Sequence, residues 1–89
     1  MPYQIKVERR VEKELASLPQ RDRRRIIAAI DALAENPRPA GCVPVKGAPR
    51  GTYRLRVGSY RVIYLIMDDE HLVTVTRVRR RGKGTYRGL

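Results

Sequence analysis

Apolar residues recur along this chain with two different periods. In the first half they return every three or four positions: Val11, Leu15 and Leu18, then Ile26, Ile27, Ile30, Leu33 and Ala34. That spacing places them on one side of an α-helix and predicts a helix from Glu8 to Leu18 and a second beginning at Pro19. Proline suits a first helical turn, and Asp22 puts negative charge near the same N-terminus, where the helix dipole favours it. Asn36-Pro37 ends the second helix, because the residue before a proline is pushed out of helical angles. With so short a link, the two helices form an antiparallel hairpin.

In the second half the period drops to two. Strands are predicted over about 52–57, 60–67 and 72–79, with an N-terminal strand from Pro2 to Val7 that sets Tyr3, Ile5 and Val7 on one side. Gly58-Ser59 joins two of the strands, and a glycine leading a two-residue loop fits a type II′ turn. The run from Tyr60 to Met67 is apolar on both faces, which marks a central strand. Prolines 37, 39, 44 and 49 and glycines 41, 47 and 51 make the intervening stretch a loop, with room for a brief strand at Val43 to Lys46. Residues 82–89 read as a short tail. The sum is one α+β domain over residues 1–89: an N-terminal strand and an antiparallel helical hairpin packed on one face of a mostly antiparallel four-stranded sheet.

Charge changes this picture from scaffold to surface. The net charge is +11, and it is uneven: residues 46–89 hold eleven basic residues against three acidic ones, all three in the turn Asp68-Asp69-Glu70. A positive field of this kind points to nucleic acid as partner. An anionic membrane would ask for a basic amphipathic helix or a lipid signal, and neither is seen. No apolar run reaches membrane-spanning length and the first residues lack a secretory-signal pattern, so a cytoplasmic location is expected. The lone Cys42 sits in a Cys-Val-Pro loop with no histidine near it and reads as an ordinary thiol.

Chemistry narrows to a few residue types. Thr52-Tyr53-Arg54-Leu55-Arg56-Val57 and Tyr60-Arg61-Val62-Ile63-Tyr64 alternate arginine with apolar residues, so Arg54 and Arg56 stand together on the face opposite Tyr53, Leu55 and Val57. Guanidinium groups on a stiff sheet are fixed forks of donors suited to phosphate. Cleaving RNA through its own 2′-hydroxyl requires a proton acceptor there, a donor at the leaving oxygen and positive charge between them. His71, the only histidine, falls in a turn, and no carboxylate pair or metal-ligand spacing is present in the basic half. Nuclease chemistry would therefore rest on arginine, lysine and tyrosine, with Tyr86 beside the basic run Arg79 to Lys83 as the candidate base, its phenolate favoured by neighbouring guanidinium groups. The plainer alternative is a phosphate-contacting surface without catalysis, with Tyr86 a packing residue.

These pieces taken in order resemble the RelE/ParE toxin superfamily: Leu18-Pro19 between two amphipathic helices, Asn36-Pro37-Arg38, Val45-Lys46-Gly47, the block Tyr53-Arg54-Leu55-Arg56-Val57-Gly58-Ser59-Tyr60-Arg61-Val62-Ile63-Tyr64, and the ending from Arg77-Val78 to Tyr86-Arg87. The resemblance spans essentially the whole chain, and the Tyr-Arg-Leu-Arg-Val-Gly block is its most specific part. It implies a toxin of a type II toxin–antitoxin pair. In the RelE-like branch it implies a ribosome-dependent endoribonuclease that cuts mRNA in the A site, without metal or cofactor. By resemblance Tyr86 is the base, Arg61 and Arg56 hold the phosphate, and Arg81 assists the leaving oxygen. Arg54, Arg56, Arg79, Arg80, Lys83 and Lys46 would contact RNA. Implied partners are mRNA, ribosomal RNA and a cognate antitoxin offering acidic or amphipathic segments, in a hetero-oligomer. The chain departs from RelE-like members in several places. The two strand positions, often lysine, are Arg54 and Arg56. Arg79 replaces a usual glycine, and Arg80 stands where many relatives carry histidine or lysine, which makes Arg80 and Arg81 near-equivalent candidates. A ParE-like inhibitor of DNA gyrase and a non-catalytic RNA-binding module are the competing functions.

Overall fold

The computed structural model describes residues 2–80. Its elements follow in the order β1 (Gln4–Val7), α1 (Arg9–Ala16), α2 (Gln20–Ala32), β2 (Val43–Pro44), β3 (Thr52–Val57), β4 (Tyr60–Met67) and β5 (Leu72–Arg80), with one turn of 3-10 helix at Asp68–Glu70 between the last two. The strands form one sheet in the order β1-β5-β4-β3-β2. All neighbours are antiparallel except β1 and β5, which run parallel. The sheet has five strands rather than the expected four. The extra one is the two-residue edge strand Val43–Pro44, within the loop where a brief strand was foreseen.

The alternation of the sequence becomes a two-faced sheet. Tyr60, Val62, Tyr64 and Ile66 of β4 and Val73, Val75 and Val78 of β5 turn to one side, where they close on Val11 and Leu15 of α1 and Ile26, Ile30 and Leu33. Tyr53, Leu55 and Val57 of β3 pack against the margin of that core. Tyr64, Ile26, Leu33, Val11 and Val73 are its largest fully buried side chains. Burying such residues, each worth roughly 1.5–3 kcal/mol, is what offsets the ordering of so short a chain.

The β3–β4 connection has the anticipated geometry. Gly58 carries φ +59, Ser59 has no positive φ, and Val57 pairs with Tyr60, as a type II′ turn requires. A second device is visible only in three dimensions. Ile63 pairs with Arg77 but Tyr64 pairs with Val75, so Thr76 is an extra residue, a β-bulge in β5. Its hydroxyl donates to the Ile63 carbonyl at 3.3 Å. The bulge reverses the phase of the strand: Val73 and Val75 face the helices before it, and Val78 does so after it.

Candidate functional site

The face of the sheet away from the helices holds the arginines. Register places Arg56 opposite Arg61, and Arg61 opposite Arg79, so three strands present three guanidinium-bearing residues in one row. With strands spaced about 4.8 Å apart, the row spans roughly 10 Å. Arg54 lies two residues along β3 on the same face. Arg79 joins the row only because of the bulge. In an unbroken strand it would follow Val73 and Val75 into the core.

Like charges directly opposite on neighbouring strands repel, so such a row is destabilising unless something neutralises it. Nothing does so among the described residues: the ion pairs there are Arg10 with Glu8, Arg38 with Asp68 and Arg77 with Glu14. Arg54, Arg56, Arg61 and Arg79 take part in none of them. Beside the row is a shallow cavity of about 200 Å³ lined by Gly41, Val43, Arg54, Arg56 and Arg61. The edge strand and the loop before it therefore form one wall, and three of the arginines form the other. A concave site of this size, lined by unpaired guanidinium groups, is chemically suited to an anion such as a phosphodiester.

Other expected residues fall elsewhere. Arg80 pairs with Tyr60 and so belongs to the helix side of the sheet, where its guanidinium lies 6.0 Å from the Tyr60 ring. Lys46 is in the turn after β2, beyond the point where Val45 donates to the Thr52 carbonyl, and thus at the other end of β3 from Arg56. Arg81, Lys83 and Tyr86 lie outside the described residues. Arg77 shares a face with the row by register, but its guanidinium is held by Glu14 at 3.1 Å.

The far end of the sheet contains a polar network around Asp68, the first residue of the acidic turn. Arg38 grips both carboxylate oxygens of Asp68, at 3.2 and 2.8 Å, and also donates to the Tyr53 hydroxyl at 3.3 Å. The Tyr3 hydroxyl donates to Asp68 at 2.6 Å, and its ring packs on His71. The Arg38 guanidinium and then the Tyr3 hydroxyl hold the Asp68 carboxyl down, to about 2. The same hydrogen bond raises the Tyr3 phenol, and Asp68 raises Arg38. Burial raises the phenols of Tyr60 and Tyr64. Tyr60 donates to Asp22 at 3.0 Å and Tyr64 to the Pro37 carbonyl at 2.8 Å. These two tyrosines are therefore neutral pillars between the sheet and the segments above it, not proton acceptors.

Comparison with known proteins identifies the scaffold. Residues 5–84 match the family model for the ParE toxin of type II toxin–antitoxin systems. A candidate toxin, RelE1, of Methanocaldococcus jannaschii is 28% identical over 89 residues, covering 98% of each chain. The toxin in the crystal structure of the archaeal RelE–RelB complex from Pyrococcus horikoshii superimposes with a TM-score of 0.83 at 31% identity, covering 93% of this chain and 99% of that one. The toxin–antitoxin complex RelBE2 from Mycobacterium tuberculosis gives a TM-score of 0.79 at 27% identity, covering 91% and 100%. The chain belongs to the RelE/ParE toxin superfamily of type II toxin–antitoxin systems, and its fold is RelE-like.

Proposed function

We propose that this toxin is a metal-independent endoribonuclease that cleaves mRNA in the ribosomal A site. The observation that carries the reading is the in-register row Arg56–Arg61–Arg79, with Arg54 beside it and no carboxylate to neutralise it among the described residues. Its charge is arranged for a phosphodiester whose own negative charge grows in the transition state.

The chemistry has three parts. The 2′-oxygen of the nucleotide before the cut forms a bond to phosphorus as its proton passes to the Tyr86 phenolate. Arg56 and Arg61 hold the equatorial oxygens of the phosphorane. The bond to the 5′-oxygen then breaks, and that oxygen leaves toward Arg81, which stabilises it as it takes up a proton from water. The products are a 2′,3′-cyclic phosphate and a 5′-hydroxyl. Arginine suits the electrostatic part and not proton donation, because it stays charged at ordinary pH. Tyr86 can act as base only where cationic neighbours favour its phenolate, and the basic run from Arg79 to Lys83 precedes it in sequence. The ribosome would supply what so open a site lacks, an mRNA strand held in an attacking geometry.

Arg54, Arg79, Arg80, Lys83 and Lys46 are assigned to RNA contact in this reading, with Arg54 and Arg79 flanking the clamp directly. A cognate antitoxin is the second partner, because the related toxins from Pyrococcus horikoshii and Mycobacterium tuberculosis were crystallised with theirs. Acidic or amphipathic segments would complement the basic surface. In vitro translation followed by primer extension tests the function: cuts on translating ribosomes, unaffected by removal of free divalent ions in the chemical step, support it. A parent protein that leaves every message intact overturns it. The family model that matches is that of ParE, which gives a gyrase-directed inhibitor as the second reading. Loss of supercoiling activity with mRNA untouched selects it.

A further inference from the structure

We infer that Glu14, on α1 and outside the arginine cluster, is a positioning residue that holds the bulged end of β5 and so keeps Arg79 in the row. The inference rests on the phosphate-binding reading of that row.

β1 pairs with β5 only as far as Val7 opposite Val75. Beyond that point the outer edge of β5 has no neighbouring strand among the described residues, and its backbone N–H groups need other acceptors. Glu14 takes the place of the missing strand. One carboxylate oxygen accepts the Val78 N–H at 2.8 Å and the other accepts Arg77 Nη1 at 3.1 Å. Both contacts fall directly after the bulged Thr76 and directly before Arg79. They bear on the part of the strand where a choice of phase is made. In the bulged phase Val78 is buried and Arg79 stands on the open face. In the regular phase Arg77 and Arg79 would continue the inward positions of Val73 and Val75. Burial of Val78 favours the bulged phase, and Glu14 pins the same residue through its backbone.

Glu14 also fixes the residue before Val78, because its second carboxylate oxygen holds the Arg77 guanidinium. Register sets Arg77 opposite Ile63. Glu14 therefore acts on the site without touching it, by fixing the stretch of β5 that leads into Arg79.

A labelled single-stranded RNA oligonucleotide, titrated at several salt concentrations, tests this with the full chain and the variants Glu14→Ala, Glu14→Asp, Glu14→Gln, Arg61→Ala, Arg79→Ala and Glu14→Ala/Arg79→Ala. Removing an acidic residue raises net charge, so simple electrostatics expects tighter binding from Glu14→Ala. The positioning role expects the reverse: affinity falls roughly three- to tenfold and the slope of log K against log salt loses about 0.7, as for one phosphate contact. Glu14→Gln, which keeps an acceptor for Val78 N–H, stays near the parent. Glu14→Asp keeps the charge, withdraws the carboxylate by one methylene, and binds like Glu14→Ala; it carries the test if Glu14→Ala does not fold. The double variant binds no more weakly than Arg79→Ala alone, since Glu14 works through Arg79. Equal or tighter binding by Glu14→Ala and Glu14→Asp, or additive losses in the double variant, overturns the inference. Binding that depends on Arg61 but not on Glu14 sinks the inference alone, whereas binding indifferent to Arg61 and Arg79 sinks the phosphate-binding reading beneath it.

Discussion

The two ends of this sheet use arginine in opposite ways. At one end Arg38 clasps Asp68 with two hydrogen bonds, touches Tyr53, and leaves its guanidinium with little capacity for anything else. At the other end, some seven residues along β4 and so roughly 23 Å away, Arg56, Arg61 and Arg79 face one another with no carboxylate among the described residues. The paired arginine ties the loop after α2 to the end of β4 and is structural. The others, in no ion pair among the described residues, repel one another, and in the proposed function a bound phosphodiester offsets that repulsion. Their tolerance depends on the other face, where Val62, Tyr64, Val73 and Val75 are almost wholly buried. The hydrophobic face holds the strands in a register that the charged face would otherwise loosen.

The sharpest way to break this contrast is to remove an unpaired arginine. Arg61→Ala should lower mRNA cleavage by about 10²–10³-fold, the usual loss when one preorganised charge donor is taken from a phosphoryl or acyl transition state. Relief of repulsion in the row should leave its urea midpoint equal to or above that of the parent. Cleavage at parental rates would remove Arg61 from the site. The corresponding variant at the paired end, Arg38→Met, should retain cleavage and lose stability.

A smaller effect is expected where the two strands of the arginine end turn. Gly58 sits at φ +59, a conformation that costs an alanine about 1–2 kcal/mol. A Cβ there would also come within 2.9 Å of the Arg25 guanidinium, a flexible group that can move aside. Gly58→Ala should therefore destabilise the chain by about 1–2 kcal/mol in urea denaturation. Gly58→Asn should cost less, because asparagine tolerates this region. An unchanged midpoint for Gly58→Ala would mean the turn has relaxed to another type.

Sequence patterning located most of this architecture and the shared face of part of the candidate site. The strands expected over about 52–57, 60–67 and 72–79 appear as Thr52–Val57, Tyr60–Met67 and Leu72–Arg80, because each is bounded by a glycine turn or an acidic turn. Arg54, Arg56 and Arg61 could be assigned to one face from alternation alone. The face of Arg79 could not be, because a single extra residue at Thr76 inverts the rule on which such assignments depend. Nor could Glu14 be connected with Val78, or Arg38 with Asp68. These pairs are 64 and 30 residues apart, and neither carboxylate differs locally from a solvated one. Asp68-Asp69-Glu70 carries the ordinary composition of an exposed turn. Only the fold brings Arg38 and Tyr3 to its first member.

That first member allows the paired end to be tested by pH. Asp68 titrates at an ordinary 3.8 when the chain is unfolded and near 2 in the folded protein, chiefly because Arg38 and then Tyr3 bind its charged form. Between these values the unfolded chain carries the extra proton, so stability rises with pH through this window. The stabilisation is complete above about pH 4 and is lost as pH falls toward 2. Asp68 and Arg38 are both substantially exposed, with side chains 54% and 42% accessible, so solvent screening keeps the effect small. Urea midpoints measured from pH 6 down to pH 2 should fall more steeply for the parent than for Asp68→Asn, and the two curves should converge at the acid end. The unpaired end supplies the control: Arg61→Ala should shift the curve without altering its slope, because no carboxylate is coupled to that arginine among the described residues. Parallel curves for the parent and Asp68→Asn would mean that the Arg38–Asp68 contact contributes no more than an exposed ion pair, and the distinction between a structural arginine and its unpaired counterparts would then rest on the row alone.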